Sequence, residues 1–201
     1  GSVLGPLLFL LYTADVSRIA QSMGINVHSY ADDIQLYIHC AAAGEKEASD
    51  RMGRCITRIQ EWMAANKLCL NADKTQVMWL GSRQRLAKLS DDPIDIDGVK
   101  INHTETAKNL GVIFDRELTL KPHLNSVSKA CYYQLRQLRK IRRLLTNDAT
   151  KTMVHSFISS RVDYCNSIYV GSSNYVFSKL QSIMNSAARL ITGCRKYEHI
   201  T

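Results

Sequence analysis

Val27-His28-Ser29-Tyr30-Ala31-Asp32-Asp33-Ile34-Gln35-Leu36-Tyr37-Ile38 is the stretch on which the fold of this chain turns. On both sides of the acidic pair, β-forming residues gather, and after it aliphatic side chains alternate with polar or aromatic ones, the two-residue period of a half-buried strand. Two such arms predict a β-hairpin whose tip projects two adjacent carboxylates from a sheet. Asp is also a favoured turn residue, because its side chain satisfies nearby backbone donors. Taken alone, the pair reads first as turn chemistry and second as a site for a divalent cation, which prefers carboxylate oxygens.

The flanking sequence predicts a mixed α+β fold. Upstream, Gly5-Pro6 followed by Leu7-Leu8-Phe9-Leu10-Leu11-Tyr12 predicts a buried helix that opens on a proline and ends at Gly24. Downstream, Ala48, Met52, Cys55, Ile59 and Trp62 recur at spacings of three and four, which predicts an amphipathic helix over residues 45 to about 66. Residues 68–70 and 76–80 predict two short strands. Ile94-Asp95-Ile96-Asp97-Gly98-Val99-Lys100-Ile101 predicts a second hairpin, since Asp-Gly supplies the positive backbone angles of a type I′ turn, and Asn109-Leu110-Gly111-Val112-Ile113-Phe114 predicts a third strand beside it.

After Pro122 the pattern becomes helical. Leu124, Val127, Cys131, Leu135, Leu138, Ile141 and Leu145 form one apolar stripe, and two further stripes (Met153, Val154, Phe157, Ile158; then Phe177, Leu180, Met184, Ala187, Ile191) predict a small helical bundle. The expected division is a β-rich part over residues 1–115 and a helical part over 116–201.

Composition narrows the function classes. The 201 residues are 45% hydrophobic and 22% charged, as in an ordinary globular protein. The longest apolar run, residues 3–12, is interrupted by Gly5-Pro6 and falls short of the ~20 residues that span a bilayer. No targeting signal is visible, and an intracellular location, nucleus or cytoplasm, is expected. Six scattered cysteines without a Cys-x-x-Cys pair predict isolated thiols instead of a zinc knuckle or a disulfide framework. The net charge of +8 is local: Lys129, Arg136, Arg139, Lys140, Arg142 and Arg143 crowd one segment, and no Asp or Glu occurs between Glu117 and Asp148. Such a face reads either as a solvated surface or as a contact for a nucleic-acid backbone. Tyr132 and Tyr133 lie among these bases and are candidates for stacking or for packing.

Four blocks follow one another: Gly1-Ser2-Val3-Leu4-Gly5-Pro6, Tyr30-Ala31-Asp32-Asp33, Asn66-x-Leu68-x-Leu70-Asn71-x-x-Lys74-Thr75, and Asn109-Leu110-Gly111-Val112. This succession resembles the reverse transcriptases of LINE-type, non-LTR retrotransposons of the jockey and CR1 kind. The likeness extends to Leu180-Gln181 and to residues 185–193, so it covers essentially the whole chain. Tyr-Ala-Asp-Asp by itself is also similar to the motif of group II intron reverse transcriptases, and the ordered blocks are the more specific part of the resemblance.

The resemblance implies a partial polymerase palm, an antiparallel sheet with packed helices that includes the primer grip, over residues 1–115. A helical thumb and a following helical region would occupy 116–201. It implies an RNA-directed DNA polymerase that takes an RNA template, a DNA primer and dNTPs and needs two Mg²⁺ ions, with Mn²⁺ as an alternative. Asp32 and Asp33 would be metal ligands, and Lys74 would act on the leaving pyrophosphate. Gly1, Ser2, Leu4, Gly5, Pro6, Tyr30 and Ala31 would position template and nucleotide. Asn109, Leu110 and Gly111 would form the primer grip, and Lys129, Arg136, Arg139, Lys140, Arg142 and Arg143 would hold the nucleic-acid backbone.

A complete palm carries a further aspartate in an earlier block, with a fingers region before it, and neither is found in these residues. Asp15, Asp50, Asp73, Asp91 and Asp92 all fall after the first block and cannot replace it by position. The expectation is a C-terminal part of the enzyme that is inactive alone and needs the N-terminal palm and fingers as its partner. A nucleic-acid-binding remnant without catalysis, or a group II intron-type reverse transcriptase, is the alternative.

Overall fold

The computed structural model describes residues 4–71, 74–90, 92–96, 98–195 and 198–200, in two units, Gly1–Glu105 and Thr106–Thr201. In the first, helix α1 (Leu4–Tyr12) carries Pro6 in its first turn, where the missing N–H costs nothing. The predicted single helix to Gly24 is instead broken at Thr13, whose N–H and hydroxyl both donate to the Phe9 carbonyl at 2.9 Å. A hydroxyl that bonds back one turn bends a helix. Helix α2 (Ala14–Ser22) follows and closes at Gly24 in a Schellman arrangement, with Gly24 N–H on Gln21 O and Ile25 N–H on Ala20 O.

The two helices differ in burial. α2 is amphipathic and buries Val16 and Ala20. α1 was expected to be buried and is not: Leu4, Leu7, Leu8, Leu10 and Leu11 are exposed. A helix that is apolar all round needs cover on several sides, and the first unit supplies contact mainly at Tyr12, whose ring tilts over Trp62 and whose hydroxyl donates to Asn66 O.

Strands β1 (Asn26–Tyr30) and β2 (Asp33–Tyr37) form the predicted antiparallel hairpin, with Val27 opposite Leu36 and Ser29 opposite Ile34. Val27, Ile34 and Leu36 pack onto a core of Val16, Ala20, Ile25, Cys55, Ile59 and Met63. The last three come from α3 (Glu45–Ala65), whose buried face follows the predicted stripe, although Met52 and Trp62 are only partly buried. Asn66 ends the helix by donating its side-chain amide to Trp62 O at 2.8 Å.

The strands predicted at 68–70 and 76–80 do not form. Leu68 and Leu70 pack as side chains on the core, and Val77 makes an isolated bridge to His103. After a short helix α4 (Arg83–Leu86), β3 (Ile94–Ile96) and β4 (Val99–Ile101) form the second predicted hairpin; Asp97, in its turn, lies outside the described residues. Ile94 and Ile96 pack against Ile56, and α3 approaches so closely at Gly53 that a Cβ there would lie 2.8 Å from Asp95 O.

The segment predicted as a third strand beside that hairpin is a ribbon of its own in the second unit. β5 (Thr106–Asn109) pairs with β6 (Val112–Asp115) because Leu110 and Gly111, at φ +44° and +85°, fold the chain straight back. Among the described residues the fold therefore holds three separate two-stranded ribbons with packed helices, an α+β arrangement.

Leu118 and Leu120 then adopt φ +53° and +57°, a sharp corner held by the Asp115 carboxylate, which accepts from Thr119 N–H, the Thr119 hydroxyl and Leu120 N–H. α5 (Lys121–Ile141) buries Leu124, Cys131, Leu135 and Leu138 from the predicted stripe and ends a turn before Leu145. α6 (Asn147–Val154), capped by the Thr146 hydroxyl, runs through a π-helical turn at His155–Ser159 into α7 (Ser160–Asp163). α8 (Asn174–Thr192) completes the bundle.

One cluster joins Cys131, Leu135 and Leu138 to Val154, Ile158, Ile183, Ala187 and Leu190. A second joins Val112, Leu120 and Leu124 to Tyr169 and Val176. Phe157 and Phe177, expected in the stripes, are exposed; α8 turns Val176 inward in place of Phe177.

Candidate functional site

Tyr30 pairs with Asp33 in the β1–β2 register, so Ala31 and Asp32 alone make the turn. Ala31 sits at φ +53°, a conformation that a residue with a Cβ adopts only where its surroundings over-determine it. Here the determinant is the ladder behind it, whose inner face is committed to the core of α2 and α3. Alternation places Asp33 and Tyr30 on the opposite face with His28 and Tyr37. The His28 and Tyr37 rings stack at 5.3 Å between centroids, with the Tyr37 oxygen 3.1 Å from His28 Nε2. Both Asp32 and Asp33 are exposed, and Tyr30 beside them is 68% exposed.

Two adjacent acceptor-only carboxylates on a supported tip suit a hard cation such as Mg²⁺ or Mn²⁺, which keeps several waters and takes one or two carboxylates. They fit as part of a ligand set only. Among the described residues no group of three His, Cys, Asp or Glu side chains is arranged to hold a metal ion.

The remaining predicted site residues are distributed over the two units. Leu4, Gly5 and Pro6 open α1 and are exposed, while Gly1 and Ser2 lie outside the described residues. Lys74 is exposed in a separate turn held by Asn71, whose carbonyl and side-chain oxygens both accept from Lys74 N–H. Asn109, Leu110 and Gly111 form the β5–β6 turn of the second unit.

On α5 and just beyond it, Lys129, Arg136, Arg139, Lys140 and Arg143 are exposed. Lys129 and Arg136 line a shallow groove of about 350 Å³ with Ser126, Ala130, Tyr133 and Gln134. Arg142 behaves differently. Its guanidinium donates to Leu190 O at 2.9 Å, to Ile191 O and Leu145 O at 3.1 Å, and to the Asn147 side chain. It caps the end of α8 instead of facing solvent.

Sequence reasoning missed Tyr164, whose hydroxyl donates to Leu110 O at 2.7 Å from 54 residues away. It also missed His123, buried beneath β6, which accepts the Ile113 N–H at 3.4 Å through Nδ1 and stacks on Tyr169. Burial pushes the His123 pKa down. No local pattern marks either residue.

The model of the family described as reverse transcriptase (RNA-dependent DNA polymerase) matches residues 1–114, more than half of the chain. The chain belongs to the reverse transcriptase family. It is 29% identical over 205 residues to a probable RNA-directed DNA polymerase from transposon BS of Drosophila melanogaster, covering 98% of this chain and 22% of that protein. It is 28% identical over 202 residues to the corresponding probable polymerase from transposon X-element of the same species, covering 96% and 21%. It is 26% identical over 206 residues to the RNA-directed DNA polymerase from mobile element jockey of Drosophila funebris, covering 98% and 22%. The LINE-type, non-LTR resemblance is thereby supported. This reverse transcriptase chain spans about a fifth of the length of the curated relatives it matches. No solved structure matches it. The matched span contains both the Asp32-Asp33 tip and the Leu110-Gly111 turn, and the transposon relatives extend the similarity through the helical bundle. Among the described residues no helix is long and apolar enough to cross a membrane.

Proposed function

We propose that this chain is the C-terminal palm and thumb part of an RNA-directed DNA polymerase of a non-LTR retrotransposon, with its division near residue 115. The observation that carries the reading is the pair of exposed carboxylates, Asp32 in the two-residue turn and Asp33 at the first position of β2, on a hairpin whose other face packs against the core. Asp32, at the turn itself, is the direct ligand of divalent metal, and Asp33 is the secondary one. When bound, Mg²⁺ or Mn²⁺ at such a site activates the attacking hydroxyl and neutralises phosphate charge. The ligands these residues lack come from a carboxylate outside the 201 residues, so the chain alone does not extend a primer.

Around that tip the other residues bind and orient. Tyr30 and Ala31 shape the floor beside the incoming nucleotide, with Gly1, Ser2, Leu4, Gly5 and Pro6 contributing to template positioning. Lys74 balances the charge of the departing pyrophosphate. Asn109, Leu110 and Gly111 hold the primer end, and Lys129, Arg136, Arg139, Lys140 and Arg143 make sequence-independent phosphate contacts.

Mn²⁺ titration followed by paramagnetic broadening of amide signals tests the metal site: broadening centred on residues 30–34 that disappears in Asp32→Asn is expected, and uniform broadening refutes it. Primer extension on an RNA template is expected to fail with this chain alone; processive incorporation sinks the incomplete-ligand argument. A purely nucleic-acid-binding role rests on the same basic face, and salt-sensitive duplex binding that is unchanged in Asp32→Asn, without any Mn²⁺ effect at the tip, would favour it.

A further inference from the structure

In the second unit a side chain of the helical half reaches the Leu110-Gly111 turn directly. Tyr164 follows α7 at a sharp corner, with the next residue, Cys165, at φ +52°. From there its hydroxyl reaches back to the Leu110 carbonyl at 2.7 Å. Its ring lies against Gly111, where a Cβ would come within 3.2 Å of the ring carbon Cε1. The turn thus has a donor fixed on one carbonyl and a wall against its glycine.

This anchorage bears on what the turn can do. An isolated two-stranded ribbon is marginally stable in water, and a type I′ turn with Leu at its first central position is strained relative to one with Asn, Asp or Gly. Leu110 nevertheless holds φ +44° and leaves 37% of its surface exposed. Strain at an exposed tip persists where surrounding contacts over-determine it. His123 and the packing of Val112 hold β6 from outside the ribbon, and Tyr164 meets the turn itself, at the Leu110 carbonyl and at Gly111.

We propose that Tyr164 is a positioning residue for the primer strand: it fixes the height and tilt of the Leu110-Gly111 turn so that the turn meets the recessed 3′ end of a nucleic-acid duplex. The inference rests on the reading of that turn as the primer grip. Tyr164 acts through the turn and does not itself touch the reacting atoms.

The test uses the full 201-residue chain and two labelled RNA–DNA duplexes of equal length, one with a recessed DNA 3′ end and one blunt. Affinities are read by fluorescence anisotropy and backbone protection by hydrogen exchange. The wild-type chain prefers the recessed duplex. Tyr164→Phe keeps the ring but removes the hydroxyl; it speeds exchange at residues 109–112 and weakens recessed-end binding about five-fold, the scale of one net hydrogen bond, while blunt-duplex binding stays unchanged. Equal weakening of both duplexes, or unchanged exchange at the turn, overturns the role of Tyr164. A wild-type preference that survives Tyr164→Phe overturns Tyr164 alone, whereas a wild-type chain with no preference overturns the primer-grip reading and this inference with it.

Discussion

Replacing Arg142 by alanine separates two roles that the sequence presents as one. Arg142 stands in a run of bases expected to face nucleic acid, yet its guanidinium bonds to the carbonyls of Leu190, Ile191 and Leu145 and to the Asn147 side chain. Leu190 and Ile191 lie in the last turn of α8, where carbonyls have no intrahelical partner and the helix dipole favours a cation. Hydrogen bonds to a charged donor contribute about 1.5–3 kcal/mol each when buried. Arg142 is only half-buried and water can reach some of these carbonyls, so the net loss for Arg142→Ala is about 2 kcal/mol, not the sum. Arg142→Lys recovers part of it, since an ammonium cannot span the fork of acceptors. Chemical denaturation followed by circular dichroism measures this loss, and the salt dependence of duplex binding measures the other role. Arg136→Ala and Arg139→Ala, at exposed positions, should leave stability within about 0.5 kcal/mol and lower the salt slope by about 1 each. A variant at Arg142 as stable as the wild type, or one that lowers the salt slope like Arg136→Ala, would refute the reasoning.

Burial holds the His123 pKa below its ordinary value of about 6.5, so the unfolded chain binds the proton more readily. The stability contributed by neutral His123 is complete above about pH 6.5 and is lost as pH falls from there through the folded-state pKa. Denaturation midpoints between about pH 7.5 and pH 5.5 should fall more steeply for the wild type than for His123→Phe, which is less stable throughout; parallel profiles would contradict this. Asp115→Ala removes three bonds that hold the Leu118 to Leu120 corner and should cost about 2–3 kcal/mol, with hydrogen exchange rising first at the start of α5; protection there equal to wild type would count against it. Cys55 and Cys131 are buried with thiol pKa values pushed up by burial, whereas Cys40, Cys69 and Cys165 are exposed. A thiol reagent followed by mass spectrometry should label those three quickly and Cys55 and Cys131 only on unfolding; early modification of either buried site would be inconsistent with the packing.

What the sequence revealed follows from the range of the forces involved. The β1–β2 and β3–β4 hairpins and the buried faces of α3 and α5 were legible because alternation and helical stripes are local records of which face is covered. The break at Thr13 was not, because a threonine inside an apolar run gives no sign of whether its hydroxyl will bond back to Phe9. Residues 68–70 have strand-like composition, but their apolar side chains find a core before their backbone finds a partner. The turn at Leu110-Gly111 was read as part of a strand, because leucine is an unusual occupant of positive φ. At the site, Asp32 and Asp33 were legible as a pair. Tyr164 and the capping by Arg142 depend on contacts across about fifty residues, which no periodicity records.

The first unit separates the support of the proposed metal site from its ligand set. Support is complete within the unit: Val27, Ile34 and Leu36 press the hairpin onto Val16, Ala20, Cys55 and Ile59, and the ladder carries that rigidity to Ala31 and the acids. The ligand set is incomplete, with two carboxylates and no third group among the described residues. The same division appears in the packing. One face of the β1–β2 ribbon is partly buried, its two strands pair only with each other among the described residues, and the leucines of α1 stand exposed beside a well-packed α2. Open ribbon edges and contiguous apolar surface are features that folded proteins cover. Chemistry and cover are thus lacking together, in a chain that spans about a fifth of its relatives.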